Sequence, residues 1–229
     1  EAQAGEYTGS VSNALLNKDK LDPSPLLSLI AHDDERVRYR AYQLLPVLVE
    51  GREELIEPYL DHERPETRAI AVHLLTSYKM KPDASVLVPL LADPDEGVQM
   101  TTIMSLTRVG EPAVPVLINA LSAENVDLAA DAAHILGDIE DDRAVEPLTA
   151  AFEGDVEPLR SAAALALAKL GATEMVDELL AMLNAGAPAT RANAAEALGV
   201  LGDQRAVDPL VDALSDTNDQ VRFMAGDAL

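Results

Sequence analysis

A period of 30 or 31 residues runs through almost the whole chain and constrains its fold more than any other feature. An apolar anchor recurs at this spacing. Seven residues after each anchor stands an apolar residue or Thr, here called the Val-like position, and a Leu follows eight residues further on. Self-similarity at such a period is typical of arrays in which each unit buries its apolar face only against its neighbours. The anchors are Ile30, Leu60, Leu91, Leu121, Phe152, Leu183 and Leu214.

Each repeat has the pattern of two helices joined by a polar turn. Apolar residues up to the anchor, such as those at 179–183, follow a helical period and predict helix A. A turn such as 215–219 then offers Asp, Asn and Ser to cap helix B. Small residues in helix B, as at 194–197, let neighbouring helices approach closely. We expect the Gly of the LGD motifs at 136–138 and 201–203 to end helix B as a C-cap.

A single hairpin of this kind cannot bury its apolar face, whereas stacked hairpins share one continuous core. The sequence therefore predicts an all-α protein, an α-α superhelix of about seven helical hairpins over residues 21–229. Residues 1–20 have the pattern of a degenerate half repeat that precedes the array. The last repeat stops at Leu229, before the exit turn of the other repeats, so we expect this chain to be a piece of a longer protein.

The motif residues resemble those of one solenoid family. The stretches DPLVDALSDTNDQVRFMAGDAL at 208–229 and EALGVLGDQRAVDPL at 196–210 are similar to the HEAT repeat, in the short form of about 30 residues seen in bilin-lyase-like proteins. The resemblance covers residues 21–229, because period, Pro, Asp, Val-Arg and Leu-Gly elements coincide. The period is shorter than that of common HEAT units, so we expect a short helix A. The resemblance implies a concave face of B helices that binds a partner.

An Arg follows the Val-like position in five of the seven repeats, and Gln99 and Ala129 interrupt the row. The HEAT resemblance implies that such an Arg bonds to an Asp in a turn of its own or a neighbouring repeat. An anion-binding row is the alternative, but a structural ladder of guanidinium and carboxylate groups explains the spacing better. The five residues are Arg38, Arg68, Arg160, Arg191 and Arg222. The candidate partners are Asp33, Asp61, Asp93 and Asp216.

Partner-binding residues are expected on the concave face, at the second and sixth positions after the Val-like position of each helix B. The middle of this row is uncharged, although the protein is strongly acidic. Flexible Met side chains on an accessible face can accommodate a partner helix or peptide. Burial of the same residues by tight curvature is the open alternative. The candidates are Tyr39, His73, Met100, Met104, His134 and Leu165, with Arg108 and Lys169 further along the same helices.

The charge balance limits the classes of partner. The chain has 17 Lys and Arg against 40 Asp and Glu, a formal net charge of −23, so phosphate backbones are repelled and nucleic acid is not an expected ligand. The acidic excess is spread along the chain, which favours a salt-rich cytoplasm such as that of a halophilic archaeon over an ordinary acidic protein. The longest apolar stretches, such as 162–168, are far shorter than the roughly 20 residues of a membrane helix.

The residues give little support to catalysis. Deoxyhypusine hydroxylases, a HEAT-like class, carry several His-Glu pairs on facing helices, whereas this chain has one such pair, His62-Glu63, in a predicted turn. The elements shared with bilin lyases are structural ones. We therefore expect no catalytic residue, no metal and no cofactor, and a scaffold or regulatory adaptor that binds another protein or peptide. The alternative is a lyase-like or enzyme-accessory HEAT protein that acts on a cofactor-bearing partner.

Overall fold

The repeats fold as successive helical hairpins. In the computed structural model, which describes residues 22–77 and 83–229, all regular elements are α-helices or 3-10 helices, and this part of the chain contains no strand. The predicted all-α superhelix is therefore confirmed. The half repeat expected at 1–20 lies outside the described residues.

The α-helices are numbered in chain order. The first three repeats contain α1 (Ser24–Leu27), α2 (Glu35–Leu48), α3 (Pro65–Leu75) and α4 (Glu96–Val109). The last four contain α5 (Val114–Ala120), α6 (Val126–Ile139), α7 (Val145–Phe152), α8 (Glu157–Lys169), α9 (Val176–Ala185), α10 (Pro188–Leu201), α11 (Val207–Ala213) and α12 (Asp219–Asp227). The B helices are α2, α3, α4, α6, α8, α10 and α12.

Helix A is short, as the period predicts. In the second repeat it consists of two 3-10 helices, Glu53–Leu55 and Glu57–Tyr59, and in the third of Ala84–Val86 and Val88–Ala92. In the other described repeats a 3-10 helix adjoins an α-helix of at most ten residues. These 3-10 helices are Ser28–Ala31, Glu111–Ala113, Asp142–Ala144, Thr173–Met175 and Gln204–Ala206.

Polar turn residues cap four of the seven B helices as predicted, α2, α4, α6 and α12, whereas α3, α8 and α10 begin without a side-chain cap. The Asp95 carboxylate accepts a hydrogen bond of 3.1 Å from the backbone N–H of Val98 at the start of α4. Asn125 and Asn218 cap α6 and α12 in the same way. Each cap satisfies a backbone donor that the first turn of a helix leaves without a partner. The turn residues therefore fix where helix B begins.

The repeat positions build one continuous core. The Leu eight residues after the Val-like position is buried in six repeats, and Leu229 of the last repeat is exposed. Five of the anchors are buried, Phe152 is half-buried and Leu214 is exposed. Neighbouring B helices pack along more of their length than neighbouring A helices do, which agrees with the expectation that the B helices line the concave side.

The two LGD motifs differ in what their Gly does. Gly202 ends α10 with φ of 63°, as a C-cap should. Gly137 is not a C-cap, because α6 continues to Ile139 and ends at Glu140, which has φ of 57°. A Cβ atom on Gly137 would lie 2.7 Å from the Cα of Ala166 in α8. The real function of Gly137 is to let two B helices approach.

Candidate functional site

The residues expected to bind a partner fall into two sets. Tyr39 on α2 and Met100 and Met104 on α4 are 57, 58 and 66% exposed. Leu165 on α8 is 3% exposed and belongs to the core. The expectation that Leu165 lies on an accessible face is therefore wrong, because the neighbouring B helices cover it.

The sizes of two repeat positions explain this difference. In the last four repeats, Gly137 packs on Ala166 and Gly199 packs on Ala228. A Cβ atom on Gly199 would lie 2.6 Å from the Cβ of Ala228. Both Gly stand nine residues after the Val-like position, and both Ala stand seven residues after that of the next repeat. The first repeats carry larger residues at these two positions, such as Thr76 and Ser105. Their B helices accordingly pack over a shorter length and leave more of the concave face accessible.

The name N-terminal groove is used here for the accessible positions of α2, α3 and α4, namely Tyr39, Tyr42, His73, Met100 and Met104. The ring of Tyr42 lies 6.4 Å from that of Tyr39 and 5.3 Å from the imidazole of His73, between centroids. A shallow hollow of about 280 Å³ beside them is bounded by the same Tyr42 and His73. Aromatic and thioether groups therefore dominate this surface.

The sequence candidates did not include Tyr42, although a signal for it was present. Tyr42 stands five residues after the Val-like position, where the later repeats have Ala133, Ala164 and Ala195. In the first three repeats this position holds a bulky residue, and these are the repeats whose B helices stand further apart. The hollow beside Tyr42 is also lined by Ala69, Ile70 and Thr101.

The N-terminal groove has no carboxylate of its own helices beyond their first turns. Glu35, Glu66 and Glu96 begin α2, α3 and α4, and no other Asp or Glu occurs in these helices. Arg108 near the end of α4 is exposed, and its Nη2 donates a hydrogen bond of 2.7 Å to the hydroxyl of Thr76. Burial lowers the pKa of His73, and the charge of Arg108 lowers it further. The groove is thus apolar to basic on an acidic protein.

The concave face of the later repeats is closed by polar contacts between helices. The ammonium of Lys169 lies 2.7 Å from Asp138 of the preceding repeat and 4.0 Å from Glu196 of the next one. Burial lowers the pKa of the half-buried His134, and Lys169 adds to this effect, while Asp138 opposes it. The amide of Asn193 donates 2.9 Å to the hydroxyl of Ser161. Lys169 and His134 are therefore placed within a packed region, away from the N-terminal groove.

Two members of the Arg row form cross-repeat ion pairs with carboxylates. Arg68 donates from Nε and Nη2 to the two oxygens of Asp93 at 2.7 and 2.6 Å, and both side chains are buried. Arg191 holds Asp216 in the same manner at 2.8 and 2.7 Å. Burial of Asp93 opposes its ionisation, but the hydrogen bonds outweigh this and its pKa is lowered. The hydrogen bonds from Arg191 lower the pKa of Asp216 to about 2.

Two of the other three Arg, Arg38 and Arg160, lack such a partner in the next repeat. Arg38 donates instead to the carbonyls of His32 and Asp33. Arg222 donates to the carbonyl of Asp216 and to the carboxylate of Asp219. The Nε–H of Arg160 is buried without an acceptor among the described residues.

The carboxylate that pairs with this Arg stands two residues after the anchor of the next repeat. Of the four Asp that the sequence suggested, only Asp93 and Asp216 stand there. The residue at the corresponding position is His62 for Arg38 and Ala185 for Arg160. Asp33 pairs with Arg64 instead of with a member of the row. The ladder is therefore complete only at two steps.

The described residues contain no group of three or more His, Asp or Glu that could hold a metal ion. The His62-Glu63 pair lies in the turn before α3, as expected, where Nδ1 of His62 accepts a hydrogen bond of 3.1 Å from the backbone N–H of Arg64. That imidazole thus serves as a cap for the turn. Within the same described residues, no helix is long and apolar enough to cross a membrane.

Solved structures with a similar fold cover nearly the whole array. The complex of CpcE and CpcF of phycocyanin lyase from a Nostoc species is 20% identical, with 91% of this chain and 95% of that chain covered and a TM-score of 0.47. Human deoxyhypusine hydroxylase in complex with glycerol is 19% identical, with 94% and 87% covered and a TM-score of 0.40. An engineered protein is 19% identical, with 91% and 97% covered and a TM-score of 0.41.

Sequence comparison assigns the family. Among curated proteins there is no sequence match. The sequence profile described as HEAT repeats matches residues 52–128, 84–168 and 156–229. These overlapping matches cover more than half of the residues, and the chain therefore belongs to the HEAT-repeat family.

Proposed function

We propose that this HEAT-repeat protein is an interaction scaffold or regulatory adaptor that binds a segment of another protein in the N-terminal groove. The observation that carries the proposal is the exposure of Met100 and Met104, 58 and 66%, on a face whose helices have no carboxylate beyond their first turns. Contiguous exposed apolar groups on a soluble domain mark interaction sites more often than chance. Met side chains also adapt their shape to a partner.

The occupant we propose is an amphipathic helix with apolar residues on one face and carboxylates beside them. Its apolar face enters between Tyr39, His73 and Met104, in the manner of helix-in-groove recognition. Its carboxylates meet Arg40 and Arg108, which are exposed at the edges of the groove. Charge complementarity of this kind orients a partner and suppresses competitors. An acidic helix would be repelled by most of this protein's surface, so the groove is the place that accepts it.

The later repeats support the groove without taking part in binding. Their B helices pack closely, and Lys169 bridges α6, α8 and α10 through Asp138 and Glu196. We propose that this packed half keeps the curvature of the array fixed. The groove then meets its partner with little loss of conformational freedom, which favours affinity.

The enzyme-accessory alternative makes a different prediction about the purified protein. A lyase-like HEAT protein that acts on a cofactor-bearing partner would retain a pigment or other cofactor from that partner. Absorption spectra and mass spectrometry of the native complex distinguish the two functions. The adaptor proposal predicts a bound polypeptide and no chromophore.

We also propose that the protein acts in a salt-rich cytoplasm. Its net charge of −23 arises from carboxylates spread along the whole chain, and concentrated salt screens the repulsion between them. The partner must then be captured at high salt, where the apolar contacts of the groove persist and exposed ion pairs weaken.

The test of the proposed function is affinity capture from a high-salt lysate, followed by hydrogen–deuterium exchange on the purified complex. The proposal predicts that the partner slows exchange in α2, α3 and α4 and leaves α8 and α10 unchanged. Slowed exchange confined to α8 and α10 would place the binding site elsewhere and contradict it.

A further inference from the structure

Two ion pairs in this molecule show what the Arg after the Val-like position binds. In both, the edge of the guanidinium formed by Nε and Nη2 meets the two oxygens of one carboxylate, at 2.7 and 2.6 Å for Arg68 and at 2.8 and 2.7 Å for Arg191. The acceptor follows 25 residues later, as Asp93 or Asp216. Such planar two-point contacts are specific for carboxylates and related oxyanions.

Arg160 occupies the equivalent place in the fifth repeat, but its carboxylate is absent. The residue 25 positions later is Ala185, whose methyl group cannot accept a hydrogen bond. The Nε–H of Arg160 is buried and has no acceptor among the described residues. A buried guanidinium N–H without an acceptor carries a desolvation cost that a ligand can remove. The other described Nε of this kind, in Arg64, belongs to a guanidinium that already pairs with Asp33.

Space for a ligand lies beside Arg160. A hollow of about 260 Å³ is bounded by Arg160 and by residues of α8, α9, the turn before α10 and the start of α10, namely Glu157, Glu178, Ala181, Met182, Ala185, Gly186 and Thr190. A carboxylate group is much smaller than this volume, and Ala185 leaves open the room that an Asp side chain would fill. The hollow lies between helix A of the sixth repeat and the start of α10, outside the N-terminal groove.

Two carboxylates, those of Glu157 and Glu178, line the hollow, and that of Glu157 is already engaged. One of its oxygens accepts 2.7 Å from the hydroxyl of Thr190 and 3.2 Å from the backbone N–H of Ala187. The Arg68 pair shows that further carboxylates do not prevent binding, since Glu66 and Asp95 act on Arg68 together with Asp93. A ligand carboxylate can therefore approach Arg160 although Glu157 and Glu178 line the same hollow, as Asp93 meets Arg68 beside Glu66 and Asp95.

We propose that Arg160 binds a carboxylate supplied from outside the chain, at the place where Arg68 and Arg191 hold an Asp of the next repeat. The ligand is either a free small carboxylate or the Asp or Glu side chain of a bound polypeptide. This site is independent of the N-terminal groove. A carboxylate bound to Arg160 would link the fifth and sixth repeats, in the same way that the Arg68–Asp93 pair links the second and third.

The direct readout is the ¹H–¹⁵N resonance of the Arg160 Nε–H group, identified by its loss in Arg160→Gln. Sodium acetate, exchanged for sodium chloride at constant ionic strength, is expected to shift this resonance. Ala185→Asp is expected to shift it without acetate, towards the resonances of Arg68 and Arg191, and to abolish the response to acetate. Ala123→Asp is the matched control, because it adds a carboxylate at the same repeat position opposite Gln99.

A second titration separates the two sources of the carboxylate. A blocked Gly-Asp-Gly peptide is compared with its Gly-Asn-Gly analogue and with acetate. A response to acetate identifies a site for free carboxylates, and a response to the Asp peptide alone identifies a site for a polypeptide side chain. No response to either, or an acetate response that persists in Ala185→Asp, overturns the proposal. Failure here leaves exchange protection of α2, α3 and α4 unaffected, so the two proposals are tested separately.

Discussion

The guanidinium of Arg68 and the carboxylate of Asp93 form two parallel hydrogen bonds of 2.7 and 2.6 Å between the second and third repeats. Both side chains are buried, and Nη1 of Arg68 also donates to the carbonyls of His62 and Glu63. The pair thus joins the turn before α3 to the turn before α4. Because the N-terminal groove spans these helices, its shape depends on this contact.

Removal of one partner of this buried pair should be costly. In Arg68→Gln the Asp93 carboxylate remains buried without its cation, and we expect a loss of about 3 kcal/mol in the free energy of unfolding. Urea denaturation followed by circular dichroism measures it. Asp33→Asn breaks the exposed pair with Arg64 and serves as the control, with an expected loss below about 0.5 kcal/mol. Equal losses in both variants would show that the buried Arg68 pair stabilises the fold no more than an exposed pair does.

The Arg191–Asp216 pair predicts a dependence of stability on pH. The hydrogen bonds from Arg191 lower the pKa of Asp216 to about 2, below the ordinary value of about 3.9. A carboxylate with a lowered pKa stabilises the fold fully above its ordinary pKa, and this contribution is lost as pH falls towards 2. The difference in Tm between wild type and Asp216→Asn should therefore be constant above about pH 5 and shrink below about pH 4. A difference that stays constant down to the lowest pH contradicts this assignment.

Gly137 predicts that close approach of the later B helices is essential. In Gly137→Ala the new methyl group overlaps the Cα of Ala166, and we expect a loss of about 1–3 kcal/mol. Gly226→Ala is the matched control inside α12, because its Cβ would meet only the Leu214 side chain at 3.6 Å. There the better helix propensity of Ala should give a gain of up to about 1 kcal/mol. Thermal unfolding of the two variants compares them, and destabilisation by Gly226→Ala alone would refute the packing account.

The acidic surface predicts stabilisation by salt. Between about 0.1 M and about 1 M KCl the screening length falls from about 10 to about 3 Å, so repulsion among exposed carboxylates is largely removed. We expect Tm to rise over this range. The double variant Asp208→Asn, Asp212→Asn removes two exposed carboxylates one turn apart on α11 and should raise Tm at low salt more than at high salt. A Tm that falls with added KCl contradicts the proposed salt-rich setting.

Much of the fold could be predicted because each repeat restates it. Buried positions such as Leu45 and Leu136 recur at a fixed place after the anchor, and caps such as Asp95 recur in the turn before helix B. Residues within a single repeat determine both the buried position and the cap, so the sequence of one repeat is enough to predict them. The position of Gly202 was predictable for the same reason, since a C-cap depends on its own helix.

The candidate site was less predictable, because it depends on the distance between neighbouring helices. Leu165 and Met104 occupy the same repeat position, yet Leu165 is buried and Met104 is exposed. The difference follows the residues at two repeat positions, which are Gly137 packed on Ala166 beside Leu165 and the larger Thr76 and Ser105 in the earlier repeats. The distance between neighbouring B helices depends on pairs of residues from different repeats, so it cannot be predicted from the sequence of one repeat alone.

The central claim is that the N-terminal groove binds the partner, and paired substitutions test it most directly. Met100→Asp, Met104→Asp places two carboxylates in the groove, one helical turn apart. Val207→Asp, Val211→Asp makes the same change at two exposed Val on α11, 47 and 49% exposed, on the opposite side of the hairpin. Quantitative affinity capture from a high-salt lysate, with Tm measured for each bait, compares both with wild type. We predict that the Met variant keeps its Tm and loses the partner, while the Val variant keeps both; retained capture by the folded Met variant, or its collapse, would contradict the account.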